Sequence, residues 1–302
     1  MVTAGPSRPI FFVEGANTTM QVFKRLIALA MFIAVLASGG MALAGLGQPS
    51  PWQLGLQQSA SEGMDAIVRF HNLLLIIITL ISIFVLALLV VVMVRFNARA
   101  NPTPSRTTHN TLLEVLWTVV PVLILVLIAV PSFRLLFTQL SAPPAEVTVK
   151  ATGKQWYWSY NYPDAGDFEF DSIMLSDKER KADQPRLLAV DNFMVVPVNK
   201  VVRLLTTASD VIHSFSIPSF GIKIDAIPGR VNEAWFKATK EGVYYGQCSQ
   251  LCGRDHAYMP IEVHVVSDRD YAAWLEQAKK KYAREDGDRP TDVAAAGGTR
   301  AE

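Results

Sequence analysis

Leu73 to Val94 contains no charged residue, and neither does Val115 to Phe133. At about 1.5 Å per residue, either run made helical is long enough to cross a hydrocarbon core of roughly 30 Å. A soluble protein can hide one such helix in its core, but two uninterrupted runs of this length favour a membrane hairpin. Pro121 and Pro131 fall within the second run, and membrane helices tolerate proline where neighbouring groups satisfy the freed carbonyls. The rest of the composition agrees: half the residues are hydrophobic, 18% are charged, and the mean hydropathy is +0.24. With 28 Lys and Arg against 27 Asp and Glu, the chain lacks the basic excess that nucleic acid binding requires.

The connection between the runs, RFNARANPTPSRTTHN, carries Arg95, Arg99 and Arg106 and no acid, so the positive-inside rule places it in the cytoplasm. Both ends of the mature chain then face outward. Lys24 and Arg25, the apolar stretch Leu26 to Ala37 and Ala42-Leu43-Ala44 have the order of a secretory signal, so residues 1–44 are expected to be removed. Residues 1–19 lack that logic, and Met20 is a candidate true start. The expected organisation is thus a signal over 1–44, a hairpin over 45–141, a β domain over 142–266, and a C-terminal helix and disordered tail over 267–302.

The β expectation rests on short runs rich in Val, Ile, Thr, Tyr and Trp, broken by Pro, Gly, Asn and Asp. VTVKA from Val147, QWYWSYNY from Gln155, VVRLLTT from Val201, VNEAWFKA from Val231 and IEVHVV from Ile261 predict an antiparallel sandwich or barrel. Beyond Val266, the spacing of Tyr271, Trp274, Leu275 and Ala278 predicts a helix.

Chemistry concentrates in GQCSQLCGRDHAYMP, Gly246 to Pro260, which offers Cys248, Cys252, His256 and Met259. Two soft thiolates, an imidazole and a thioether are a ligand set for copper cycling between Cu(I) and Cu(II), and His213, on a strand distant in sequence, is a further candidate. Two thiolates four residues apart can each bridge two copper ions. Such a pair shares its electron, so little reorganisation opposes transfer, which favours an electron relay. A disulfide remains open for the cysteines, given an oxidising compartment, as does a zinc site, although Met is a poor zinc ligand. His71, His109 and His264 read as ordinary surface or core histidines.

The helical pair, QWYWSY, DVIHSFSIPSFGIKIDAIPGR, YYGQCSQLCG and HAYMP together closely resemble subunit II of the haem-copper cytochrome c oxidases of bacteria related to mitochondria. The resemblance spans about Phe70 to Val266. It implies an α+β membrane protein with a two-helix transmembrane hairpin and an all-β, cupredoxin-like barrel holding a dinuclear copper centre, CuA. The implied ligands are His213, Cys248, the backbone carbonyl of Gln250, Cys252, His256 and Met259. Also implied are electron delivery by cytochrome c, onward transfer to haem a of subunit I, and assembly with subunits I and III in lipid of the bacterial inner membrane.

Trp156 matches the family's electron-entry tryptophan, leaving a core role to Trp158 on the same face by period two. Asp164, Asp167, Asp171 and Asp210 match docking acids for cytochrome c, although single rim acids are often only solvated loop residues. Glu114 matches the mouth of a proton pathway, against a plainer role at a helix N-terminus. At 250 the family usually has Glu, which serves a nearby Mg2+ through its side chain; Gln250 keeps the carbonyl for copper but puts Mg2+ in doubt. A copper chaperone or thiol oxidoreductase would need exposed thiols and alternating helices and strands, and a quinol oxidase subunit would lack the copper ligands. Nitrous oxide reductase shares the ligand pattern, but its large catalytic domain does not fit this length. No Cys-x-x-Cys-His is present for covalent haem.

Overall fold

Ser61 opens the first helix, α1 (Glu62–Arg95), its hydroxyl accepting from the Met64 amide at 2.9 Å. Asn110 does the same for α2 (Thr111–Leu140), accepting from the Leu113 amide at 3.2 Å. These caps satisfy amides that the first turn leaves without helical partners, and they explain why both helices begin before the apolar runs they contain. The computed structural model describes residues 47–282, so the expected signal over 1–44 and most of the expected tail lie outside the described residues. Along α2 no residue is buried, and along α1 only Met64 is. Leu86 is 60% exposed and Leu125 65%. Helices apolar on every side and uncovered by protein require an apolar solvent, which a bilayer supplies.

The chain then forms ten strands among the described residues: β1 (Val147–Lys154), β2 (Tyr157–Tyr162), β3 (Phe168–Ser172), β4 (Met194–Pro197), β5 (Val201–Ala208), β6 (His213–Ile217), β7 (Ile222–Ala226), β8 (Asn232–Lys237), β9 (Gly242–Cys248) and β10 (Pro260–Val266). They make two five-stranded sheets, ordered β3-β2-β1-β5-β8 and β4-β10-β9-β6-β7. This is the expected all-β sandwich, with a correction. It is mixed rather than antiparallel, because β1 runs parallel to β5, pairing Val147 with Val202, and β10 runs parallel to β4, pairing Val263 with Met194. Parallel partners need long crossovers, and the segments separating these strands are long enough to provide them.

Alternation along the strands buries Trp158, Tyr160, Tyr162, Leu204 and Phe215 between the sheets, all at 0% exposure. Trp158 meets Phe215 edge to face, with ring centroids 5.3 Å apart, a favoured aromatic geometry. The last helix, α3 (Asp268–Tyr282), lies where the spacing predicts it. Trp274 packs on Tyr162 at 5.1 Å, Tyr282 stacks on Phe170 at 4.7 Å, and Ala278 is buried.

The start of α1 is fastened to the β domain. The Ala60 amide donates to the Ser219 carbonyl and its carbonyl accepts from Thr239, both at 2.9 Å. Ser61 donates its hydroxyl to Phe220 at 2.7 Å, and Glu62 pairs with Lys237 at 3.0 Å. Gly221, at φ 69°, lets the helix approach: a Cβ there would stand 2.6 Å from Ile67 Cδ1.

Candidate metal centre

Three neighbouring strands converge on the site. β6 begins at His213, β9 ends at Cys248, and the β6–β9 ladder sets Phe215 opposite Cys248, which brings the histidine to the root of the 249–259 loop. The loop folds back on itself: the Cys248 amide donates to Met259 at 3.4 Å, and the Ser249 amide donates to Ser214 on β6 at 2.9 Å. Met259 then leads directly into β10.

This folding gathers the donor atoms. Cys248 Sγ stands 3.9 Å from Cys252 Sγ and 3.9 Å from His213 Nδ1. Cys252 Sγ stands 3.5 Å from His256 Nδ1 and 3.6 Å from Met259 Sδ. The Gln250 carbonyl lies 3.3 Å from Cys248 Sγ. His213, Cys248, Cys252 and Met259 are buried, His256 is half-buried, and Gln250 is exposed. The sulfurs are unbonded, far beyond the ~2.05 Å of a disulfide. The sulfurs lie at the centre of the set: the nearest donors to Cys248 are His213 and a carbonyl, and the nearest to Cys252 are His256 and a thioether. Ligand atoms of His213, Cys248 and Cys252 all lie within 4.8 Å of one another. A donor set of two thiols, two imidazoles, a thioether and a carbonyl fits soft copper and fits oxygen-preferring cations poorly.

The surroundings prepare these donors. Burial opposes ionisation of Cys248, but the His213 ring and hydrogen bonds from the backbone at Gln250 and Ser214 outweigh it and hold this thiol below its ordinary range. Burial, and then the charge at Cys248, push Cys252 upward. His213 Nε2 donates to Asp210 Oδ1 at 2.9 Å. A carboxylate can only accept, so Nε2 carries a proton and Nδ1 is the ring nitrogen turned to the sulfurs. Burial works against the Asp210 carboxylate, yet His213 and the amides of Val211 and Gln155 keep it below the usual range. The remaining space is tight: a Cβ on Gly153 would come within 2.7 Å of the His213 ring.

Trp156 does not lie on a strand with Trp158, as the period-two reading expects. Gln155 and Trp156 form the connection between β1 and β2, so the alternation starts only at Tyr157. Trp158 is fully buried and donates to the Met259 carbonyl at 3.4 Å. Trp156 is half-buried, donates to the Cys252 carbonyl at 3.3 Å, and carries the Arg254 guanidinium 5.4 Å above its ring. Gln155 donates to the same carbonyl at 2.9 Å.

The expected docking acids differ among themselves. Asp164 is exposed in a short turn after β2, and Asp167, also exposed, accepts from Asn161 at 2.9 Å. Asp171 is held by the Ser159 hydroxyl and by Lys154 at 3.5 Å. Asp210 is engaged by His213, a link that the sequence signals only as an Asp three residues before a His. Glu114 sits in the first turn of α2, at the other end of the hairpin, where its carboxylate accepts from the Asn110 amide at 3.3 Å. His264 is the ordinary partner that the sequence reading expects, 2.8 Å from Glu262.

Known proteins agree with this architecture on both sides of residue 140. The family model described as cytochrome c oxidase subunit II, transmembrane domain, matches residues 49–135, and that described as the periplasmic domain of the same subunit matches residues 147–266. A probable cytochrome c oxidase subunit 2 of Rickettsia bellii is 55% identical over 233 residues, covering 77% of this chain and 87% of the relative. Cytochrome c oxidase subunit 2 of Cereibacter sphaeroides is 46% identical over 252 residues, covering 78% and 83%. The crystallised periplasmic domain of subunit II of cytochrome oxidase from Bradyrhizobium japonicum is 64% identical, covers 47% of this chain and 100% of that one, and superposes with a TM-score of 0.45. With both of its domains matched in order, the chain belongs to the cytochrome c oxidase subunit II family.

Proposed function

We propose that this chain is the electron-entry subunit of its oxidase, taking electrons from cytochrome c at a dinuclear copper centre, CuA, and passing them to haem a in subunit I. The observation that carries the proposal is the gathered donor set: the paired sulfurs of Cys248 and Cys252, with His213, the Gln250 carbonyl, His256 and Met259 around them. Bound copper supplies one-electron redox chemistry there with the charge spread over two nuclei. Zinc would leave Met259 and the Gln250 carbonyl without a role.

The chain's own groups do the rest. The Cys248 environment favours a thiolate before metal arrives, and Asp210 orients the His213 ring so that Nδ1 faces the sulfurs. Trp156, bonded to the Cys252 carbonyl, connects a partly exposed ring to the backbone of a ligand by a single hydrogen bond, a direct route inward for an electron. Asp164 and Asp167 offer free-facing negative charge to a basic partner. Asp171 and Asp210 offer less, because Lys154 and His213 already hold them.

The chain would assemble with subunits I and III in lipid of the inner membrane, with the β domain on the periplasmic side. Glu114 stands at the cytoplasmic mouth of a proton pathway while also capping α2. Gln250 offers its carbonyl to copper, but a neutral amide serves a hard cation such as Mg2+ less well than a carboxylate, so the proposal covers copper alone.

Stopped-flow reduction of the assembled oxidase by cytochrome c tests the route. Trp156→Phe, which keeps an aromatic ring and removes the indole donor, is expected to slow electron entry at least tenfold with copper content unchanged. An unaltered rate would place the entry point elsewhere.

A further inference from the structure

Two arginines stand at the ends of the helices nearest the β domain. Arg69 precedes the uncharged run from Leu73 by four residues, and Arg134 directly follows Phe133. Both line one cleft of about 600 Å³, together with Phe70, Leu73, Pro131 and Leu135. Neither side chain has an ion-pair or hydrogen-bond partner among the described residues. Glu62 reaches the same cleft, but Lys237 already engages it at 3.0 Å.

Unpaired guanidinium groups at the edge of a hydrocarbon layer call for an anion. Membrane hairpins usually concentrate such charge at the cytoplasmic end, where this chain already has Arg95, Arg99 and Arg106. The cleft also shares Glu62, Ala66, Leu135 and Thr138 with a second cavity of about 260 Å³ beneath the β domain. Trp235 lines that cavity, and its indole N–H is shielded from solvent without an acceptor among the described residues. Cationic donors thus meet an apolar wall at the level where a membrane changes from headgroup to hydrocarbon.

We propose that this cleft binds one anionic phospholipid, its phosphate held by Arg69 and Arg134 and an acyl chain lying along Phe70, Leu73 and Pro131. Guanidinium groups match phosphate oxygens in charge and in bidentate geometry, which a lysine pair would not reproduce. Free phosphate would satisfy the arginines and leave the apolar wall unused.

The test is native mass spectrometry of the assembled oxidase, counting phospholipids retained through increasing detergent. Arg69→Gln with Arg134→Gln is expected to remove one tightly held phospholipid per complex, lowering its occupancy about tenfold, a loss of about 1.4 kcal/mol. Copper content and turnover should stay at the wild-type level. A photoactivatable phosphatidylglycerol, applied to the wild-type enzyme, should label peptides containing Phe70–Leu73 or Pro131–Leu135, and this measurement holds even where the variant fails to assemble. Equal phospholipid in both proteins, labelling confined to other segments, or displacement of the lipid by inorganic phosphate alone would each overturn the proposal. So would loss of a neighbouring subunit with phospholipid unchanged, which would assign the arginines to a protein carboxylate.

Discussion

Leu86 on α1 and Leu204 on β5 are the same residue under opposite rules. Leu204 has no exposed surface, whereas Leu86 is 60% exposed on a helix that buries only Met64. In the β domain apolar side chains leave water by packing on each other; in the hairpin this chain supplies little of their contact, which must come from an apolar environment outside it. Hydrophobicity alone therefore carries different information in the two regions. In the hairpin it fixes the span and little else, while in the β domain it must also specify partners, faces and register.

Matched substitutions turn this contrast into measurements. Leu204→Ala removes packed atoms from between two sheets and should cost the β domain about 2–5 kcal/mol, read from its thermal or denaturant unfolding. Leu86→Ala should change hairpin stability by no more than about 0.5 kcal/mol, because lipid fills the space. Similar losses at both positions would mean that protein, not lipid, covers that face of α1.

Charge should invert the ranking. Leu86→Asp places a carboxylate near the middle of the span and should cost about 2.5–3.5 kcal/mol in a membrane-insertion assay. Val231→Asp, at a β-domain position 58% exposed, should stay within about 0.5 kcal/mol. A tolerated aspartate at 86 would break the membrane reading of α1.

A smaller effect belongs to the seam between the regions. Ser61 caps α1 and bonds the Phe220 carbonyl, so Ser61→Ala should lower stability by about 1 kcal/mol. Hydrogen exchange should locate the loss at the Met64 amide and the adjoining strand. Unchanged protection at Met64 would show that Glu62 and the Ala60 backbone hold the seam without the hydroxyl.

How much was legible in the sequence follows from the same contrast. The spans could be read because every residue from Leu73 to Val94 except Thr79 and Ser82 repeats one message, and the α3 face could be read because Trp274 and Ala278 keep helical spacing. The parallel pairing of Ala151 with Thr206 could not, since turn signals report only local hairpins and this contact joins strands with several elements between them. Within the site, Cys248, Cys252, His256 and Met259 share one loop and stand out as a group. His213 stands apart from them, a candidate on a distant strand that the resemblance adds to the set. The bonds from Gln155 and Trp156 to the Cys252 carbonyl left no trace, because a backbone acceptor has no side-chain signature. Asp210 was legible only as a docking acid, and its orientation toward His213 emerges from the bend that carries it.

The most direct test of the central claim is a metal count with EPR on the assembled wild-type protein, beside Cys248→Ser. The paired sulfurs with two imidazoles around them predict two coppers per chain and a hyperfine pattern of one unpaired electron shared equally by both nuclei, with paired binding lost in the serine variant. One copper per chain, an electron confined to one nucleus, or an unchanged spectrum in Cys248→Ser would contradict it.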